Sequence, residues 1–264
     1  MSKLLDLLQR ISDGTPAPLG FGAARRAGLP GLALVGLVTK DHEAGLAASA
    51  SAGLDGILVS GVNDSAGLSG VAGSADGVPW GAFASALSGE TARVCRENGA
   101  DVLAFGLESP AAGLAGEDDM ARMISLAPNL SDRELRAVSA LPVDCFILDM
   151  GSVSGPWTLQ DLVTVGSISR RTDKQVLVQV SAAPAEQELE ALRDMGASGL
   201  ILDVSSVSPD DLAGLKSALQ DMPRPRRRRD RVRATVPSTG FASSPAPSRE
   251  DDDHDDDYDD YDDE

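Results

Sequence analysis

Asp149 and Asp203 each close an apolar run, Phe-Ile-Leu-Asp and Leu-Ile-Leu-Asp, and Lys40 stands one residue beyond the run Leu-Ala-Leu-Val-Gly-Leu-Val. A carboxylate at the end of a buried run can serve as a general base, and two of them can hold a divalent cation. A lysine in the same position can form a Schiff base with a carbonyl or hold an anion. Lys40, Asp149 and Asp203 are therefore the candidate catalytic residues, and no separate metal site is assigned. His42 adds a side chain of the type that serves as a general acid or base. Each has a structural alternative. Lys40 can pair with Asp41 or Glu108, His42 can stand exposed early in a helix, and an aspartate after a strand often caps the next loop.

Further polar residues fall near the ends of apolar runs: Ser60, Glu90, Glu108, Asn129 and Ser181. Gln179 lies inside a run and reads as a hydrogen-bonded core group. Trp157, in Gly-Pro-Trp, is placed to stack on a ligand or to cover one end of the core. Arg25 and Arg26 reach an anion only if their Gly/Pro-rich connector crosses the site. His254, within the acidic C-terminal run, reads as part of a solvated charge run rather than a metal ligand.

These residues need elements to position them. The stretch 174–206 reads as strand, helix, strand. A β-branched apolar run is followed by an amphipathic segment with Leu189, Leu192 and Met195 on one face, then by Gly196 as a helix stop and a second apolar run. Two strands joined by a covering helix lie parallel with a right-handed crossover. The same alternation places strands at 32–38, 56–60, 78–83, 101–105, 123–126, 144–149, 175–180 and 199–203. Helices fall at 42–52, 88–98, 131–140, 159–170, 185–195 and 209–219. The Gly/Ser-rich stretch 63–77 is expected to hold only a short helix, and 108–121 is weak. Residues 2–11 put Leu4, Leu5, Leu8 and Ile11 on one face, a helix that must dock on something.

Three joints repeat: Gly53-Leu-Asp, Gly99-Ala-Asp and Gly196-Ala-Ser, each a helix stop, a small or apolar residue and a polar residue before a strand. Recurrence on this scale marks a repeated βα unit. Eight units predict a (β/α)8 barrel, with a doubly wound open sheet as the alternative; no Gly-rich dinucleotide fingerprint follows the first strand. The Gly-Ala-Asp joints and the final Asp-Met-Gly-Ala-Ser-Gly-Leu-Ile-Leu-Asp resemble those of small TIM barrels such as the tryptophan-biosynthesis isomerases and the nitronate monooxygenase group. The resemblance covers about 32–219 and implies a fold rather than a reaction. In phosphate-binding barrels the loops after the last two strands are Gly-rich. Here they read Ser181-Ala-Ala-Pro and Val204-Ser-Ser-Val-Ser, so no phosphate or flavin is assigned and the cofactor stays unknown.

The expected organisation is an N-terminal helix and connector at 1–31, the barrel at 32–221 and a charged tail at 222–264. The tail is a basic block, a Pro/Ser/Thr spacer and an acidic block, a composition expected to be disordered. It holds 8 of the 23 Lys and Arg and 13 of the 41 Asp and Glu, so the chain before it carries net −13 of the total −18. That charge argues against nucleic acid as a partner. Hydrophobic residues make up 42% and aromatics 3%, enough for an aliphatic core. Cys95 and Cys145 read as buried free thiols, no run reaches the roughly 20 apolar residues of a membrane span, and a cytoplasmic protein is expected.

Two functions follow. One is a non-catalytic binding or scaffold barrel whose charged tail makes weak, salt-sensitive contacts with a partner. The other is a small-metabolite lyase, isomerase or oxidoreductase, its ligand at the C-terminal ends of the strands.

Overall fold

The structure is a computed structural model and describes residues 2–13, 29–62, 65–75, 77–111, 120–153 and 155–222. The connector arginines Arg25 and Arg26 and the charged tail lie outside these residues. Eight parallel strands close into one barrel in sequence order: β1 (Ala33–Val38), β2 (Gly56–Ser60), β3 (Trp80–Ala84), β4 (Val102–Gly106), β5 (Ala121–Leu126), β6 (Cys145–Asp149), β7 (Gln175–Val180) and β8 (Gly199–Asp203). β8 pairs with β1, which makes the fold a (β/α)8 barrel rather than an open sheet. The described helices are α1 (Lys3–Asp13), α2 (His42–Ser51), α3 (Ser65–Ser74), α4 (Gly89–Glu97), α5 (Asp132–Ser139), α6 (Leu159–Ser169), α7 (Glu186–Asp194) and α8 (Pro209–Asp221).

Alternation along the strands divides the apolar residues into two cores. Leu34, Ile57, Phe146, Val178 and Leu202 face the helices. Val35, Leu37, Leu58, Ala104, Met123, Ile147, Leu177 and Ile201 fill the barrel. Because both faces are covered, the strands are continuous aliphatic runs, as parallel sheets require.

The N-terminal end of the barrel is closed by α1. Its Leu4 and Leu8 are fully buried among Ala33, Val102 and Ala121, the small or short inward residues of the first layer. Gly56 is part of that fit, since a Cβ there would sit 3.0 Å from Leu4 Cδ2. Asp101 fixes the helix start, accepting from Ser2 Oγ at 2.7 Å, the Lys3 amide at 2.8 Å and the Leu4 amide at 3.0 Å. The helix inferred from Leu4, Leu5, Leu8 and Ile11 thus docks as a plug.

The repeated joints lie at this same end. In each, the polar residue before the strand donates its amide to the preceding strand: Asp55 to Leu34, Asp101 to Trp80, Ser198 to Val176. Asp144 does the same to Arg122 and also accepts the Arg122 amide on its carboxylate. Asp55 accepts the Leu34 amide and pairs at 2.6 Å with the buried Lys216 of α8, tying the last helix to the first strands.

Three elements differ from the sequence reading. β3 begins at Trp80, two residues later than expected. Stretch 63–77 holds the ten-residue α3, because Leu68 and Val71 bury against the outer core and override a Gly/Ser composition that is weak in isolation. β5 begins two residues early, with Ala121 and Arg122 paired to Val102 and Leu103. Among the described helices none is long and apolar enough to cross a membrane.

Candidate functional site

The strand register carries the inward face of the barrel up to its C-terminal rim. Ser60, Phe83, Ser125, Asp149, Gln179 and Asp203 all fall on that face, because each continues an alternation that lower down places Leu58, Met123, Ile147, Leu177 and Ile201 inside. Phe83 apart, the rim is therefore polar where the floor is apolar.

Asp203 is the most heavily bonded group there. Its Oδ1 accepts the Ser205 amide at 2.9 Å and the Ser205 hydroxyl at 2.6 Å, and its Oδ2 accepts the Thr39 hydroxyl at 2.9 Å. Partial burial alone would raise its pKa. The donors from Ser205 and Thr39, with the charge of Lys40, outweigh that and hold the carboxyl below the ordinary aspartate value. The Ser205 contacts nucleate the 3-10 turn Val204–Ser206 that leads into α8.

Lys40 is exposed on the β1–α2 turn. Two contacts tie that turn to both neighbouring strands: Thr39 to Asp203 of β8, and His42 to β2. His42 Nε2 lies 2.9 Å from the Ser60 carbonyl, which can only accept, so this nitrogen carries the proton. Asp41 between them takes the left-handed conformation at φ 44°, which aspartate tolerates better than most residues. Asp149 is exposed and receives the Gly151 amide at 2.9 Å, an Asx turn that starts the β6–α6 loop.

The structure brings Lys40 and Asp203 together and sets Asp149 apart. β6 and β8 flank β7, so two strand spacings, about 10 Å, separate the two aspartates at the backbone. Gln179 stands on β7 between them, and its Oε1 is buried with no hydrogen-bond partner. Among the described residues no group of three His, Cys, Asp or Glu is arranged to hold a metal ion.

The remaining sequence candidates are dispersed. Glu90 stands in the first turn of α4, and Glu108 and Asn129 stand on separate connections. Ser181 donates to the Val153 carbonyl at 2.7 Å, and Trp157 is partly buried against the outer core with its amide held by Glu188 at 2.8 Å. Cys95 and Cys145 are buried and unpaired; burial pushes the Cys95 thiol up to about 11 and the Cys145 thiol higher still. A cavity of about 530 Å³ opens between the loops after β7 and β8 and runs down between α7 and α8. Glu186, Asp210 and Asp211 line it, a setting that repels a phosphate.

Sequence reasoning missed Thr39 and Ser205. The second was within reach, since Asp203 and Ser205 have the i, i+2 spacing of an Asx turn. The first joins residues 164 positions apart and left no local signal.

No family model matches the chain, and no curated protein matches it. Solved structures do match in fold. A mutant tryptophan synthase alpha-subunit from the hyperthermophile Pyrococcus furiosus superposes with TM-score 0.56 at 11% identity, over 72% of this chain and 97% of that one. KGPDC from Streptococcus mutans gives 0.57 at 15%, over 72% and 98%. The 3-keto-L-gulonate-6-phosphate decarboxylase of Vibrio cholerae O1 biovar El Tor gives 0.56 at 13%, over 70% and 96%. At these identities the likeness is one of architecture, and this chain is a TIM barrel.

Proposed function

We propose that the barrel is a non-catalytic binding or scaffold protein, in which the carboxylates at the strand ends shape loops instead of moving protons. The observation that carries this reading is the bonding of Asp203, whose two oxygens take three donors from Thr39 and Ser205. A base works best with a pKa near the working pH, and these donors push Asp203 the other way. Asp149 and His42 are likewise engaged with backbone groups. In this reading the charged stretch 222–264 supplies weak, salt-sensitive contacts with a partner, and the protein works in the cytoplasm.

The second reading is a small-metabolite lyase, isomerase or oxidoreductase, with Lys40 as the reactive amine and Asp149 or Asp203 as base. It is favoured by the inward, polar strand ends and by the enzymes among the fold neighbours. A thermal-shift screen of metabolites on the full chain separates the two, because a ligand that binds only the folded state raises the melting temperature. The proposal expects no hit that is also turned over. A metabolite that is consumed, with activity lost in Lys40→Ala or Asp149→Ala, overturns it.

A further inference from the structure

The outer wall of the barrel carries a feature that neither reading of the strand ends uses. α7 and α8 part at their N-terminal ends and leave the 530 Å³ cavity, within the size range of pockets that take ligands. Its floor is apolar: Leu189 of α7 and Leu215 of α8 reach it from the core. Its depth comes from Gly214, where an added Cβ would meet nothing within 4 Å. Its edges are Glu186, Asp210 and Asp211, and no ion pair among the described residues involves any of them. The cation on each of the two helices is engaged away from these edges, Lys216 with Asp55 and Arg193 with Asp194.

We propose that this groove docks a basic peptide segment of a partner protein, with an aliphatic side chain on Leu189 and Leu215 and flanking arginines or lysines on the three carboxylates. Charge selects this occupant. A phosphate or nucleic acid is repelled by the edges, and a second copy of a barrel carrying net −13 before its tail is repelled as a whole. A neutral apolar peptide would desolvate Glu186 and Asp210 without partners and leave Asp211 only the Ser208 hydroxyl, which donates to it at 2.7 Å. The inference does not depend on whether the strand ends catalyse, since the groove lies outside the barrel.

The test is fluorescence anisotropy of the full chain with a labelled arginine-rich peptide that carries leucines at helical spacing. The acidic residues beyond 250 also attract such a peptide, so the readout is the difference between wild type and two folded variants. Glu186→Gln with Asp210→Asn removes the charge, and Gly214→Leu fills the groove at a position with open space. Each is expected to weaken binding about tenfold at low salt, the scale of two exposed ion pairs or one lost apolar anchor. The wild-type preference should shrink at high ionic strength. Equal affinity for wild type and Gly214→Leu overturns the proposal. So does equal affinity for a peptide with glutamine in place of arginine.

Discussion

The two ends of the barrel are built on different principles. At the N-terminal end, small inward residues make room for Leu4 and Leu8 of α1, and the polar joints Asp55, Asp101, Asp144 and Ser198 tie β2, β4, β6 and β8 to the strands before them. At the C-terminal end the same inward face is polar, and its side chains bond the loops that follow: Asp149 to Gly151, Asp203 to Ser205 and Thr39, Ser181 to Val153. One end gains its stability from packing, the other from turn chemistry at the surface. Polar rims of this kind let a barrel vary its loops without disturbing its core, which is why a TIM fold alone says little about function.

The contrast is sharpest in the response to truncation. Leu8→Ala removes a fully buried plug residue and should cost about 3 kcal/mol, within the range for core leucines, as a lower midpoint in urea unfolding. A cost near zero would mean that α1 rests on the barrel without closing it. Lys216→Met breaks the ion pair with Asp55 and leaves a largely buried carboxylate short of one partner. The expected loss is about 2 kcal/mol, below the usual range for a broken buried pair because Asp55 keeps the Leu34 amide. Replacing Asp55 as well, with Asn, should recover part of that loss.

Substitutions at the other end should matter less. Thr158 caps α6, accepting the Asp161 amide while the Asp161 carboxylate returns to the Thr158 amide and hydroxyl. Thr158→Ala should cost about 1 kcal/mol, seen as a modest fall in melting temperature. A loss as large as that of Leu8→Ala would erase the distinction between the two ends.

The fold was largely legible because its signals are local. Aliphatic runs, Gly stops and the repeated Gly-x-Asp joint all lie within a few residues of one another, and the barrel follows from their number. α3 was underestimated because Leu68 and Val71 act through tertiary burial that a Gly/Ser-rich window hides. The candidate site was legible only in part. Strand ends pointed to Lys40, Asp149 and Asp203, yet whether such an aspartate is free or bonded depends on Thr39, which approaches Asp203 only when β1 closes on β8. The groove between α7 and α8 left no motif, since it arises from a glycine and carboxylates on two elements.

The role of the strand-end carboxylates is tested most directly by the stability of Asp203→Ala against pH. Residues kept for catalysis are commonly held at some cost to the fold, so replacing them tends to raise stability, whereas replacing a structural group lowers it. The folded pKa of Asp203 is depressed, so its stabilising effect is present above the ordinary value of 3.8 and is lost as the pH falls through the folded value. The account predicts that Asp203→Ala melts a few degrees below wild type at neutral pH, about 1 kcal/mol, and that the gap narrows once the pH drops below that value. A variant that melts above wild type at neutral pH would contradict it and mark Asp203 as a residue held ready for chemistry.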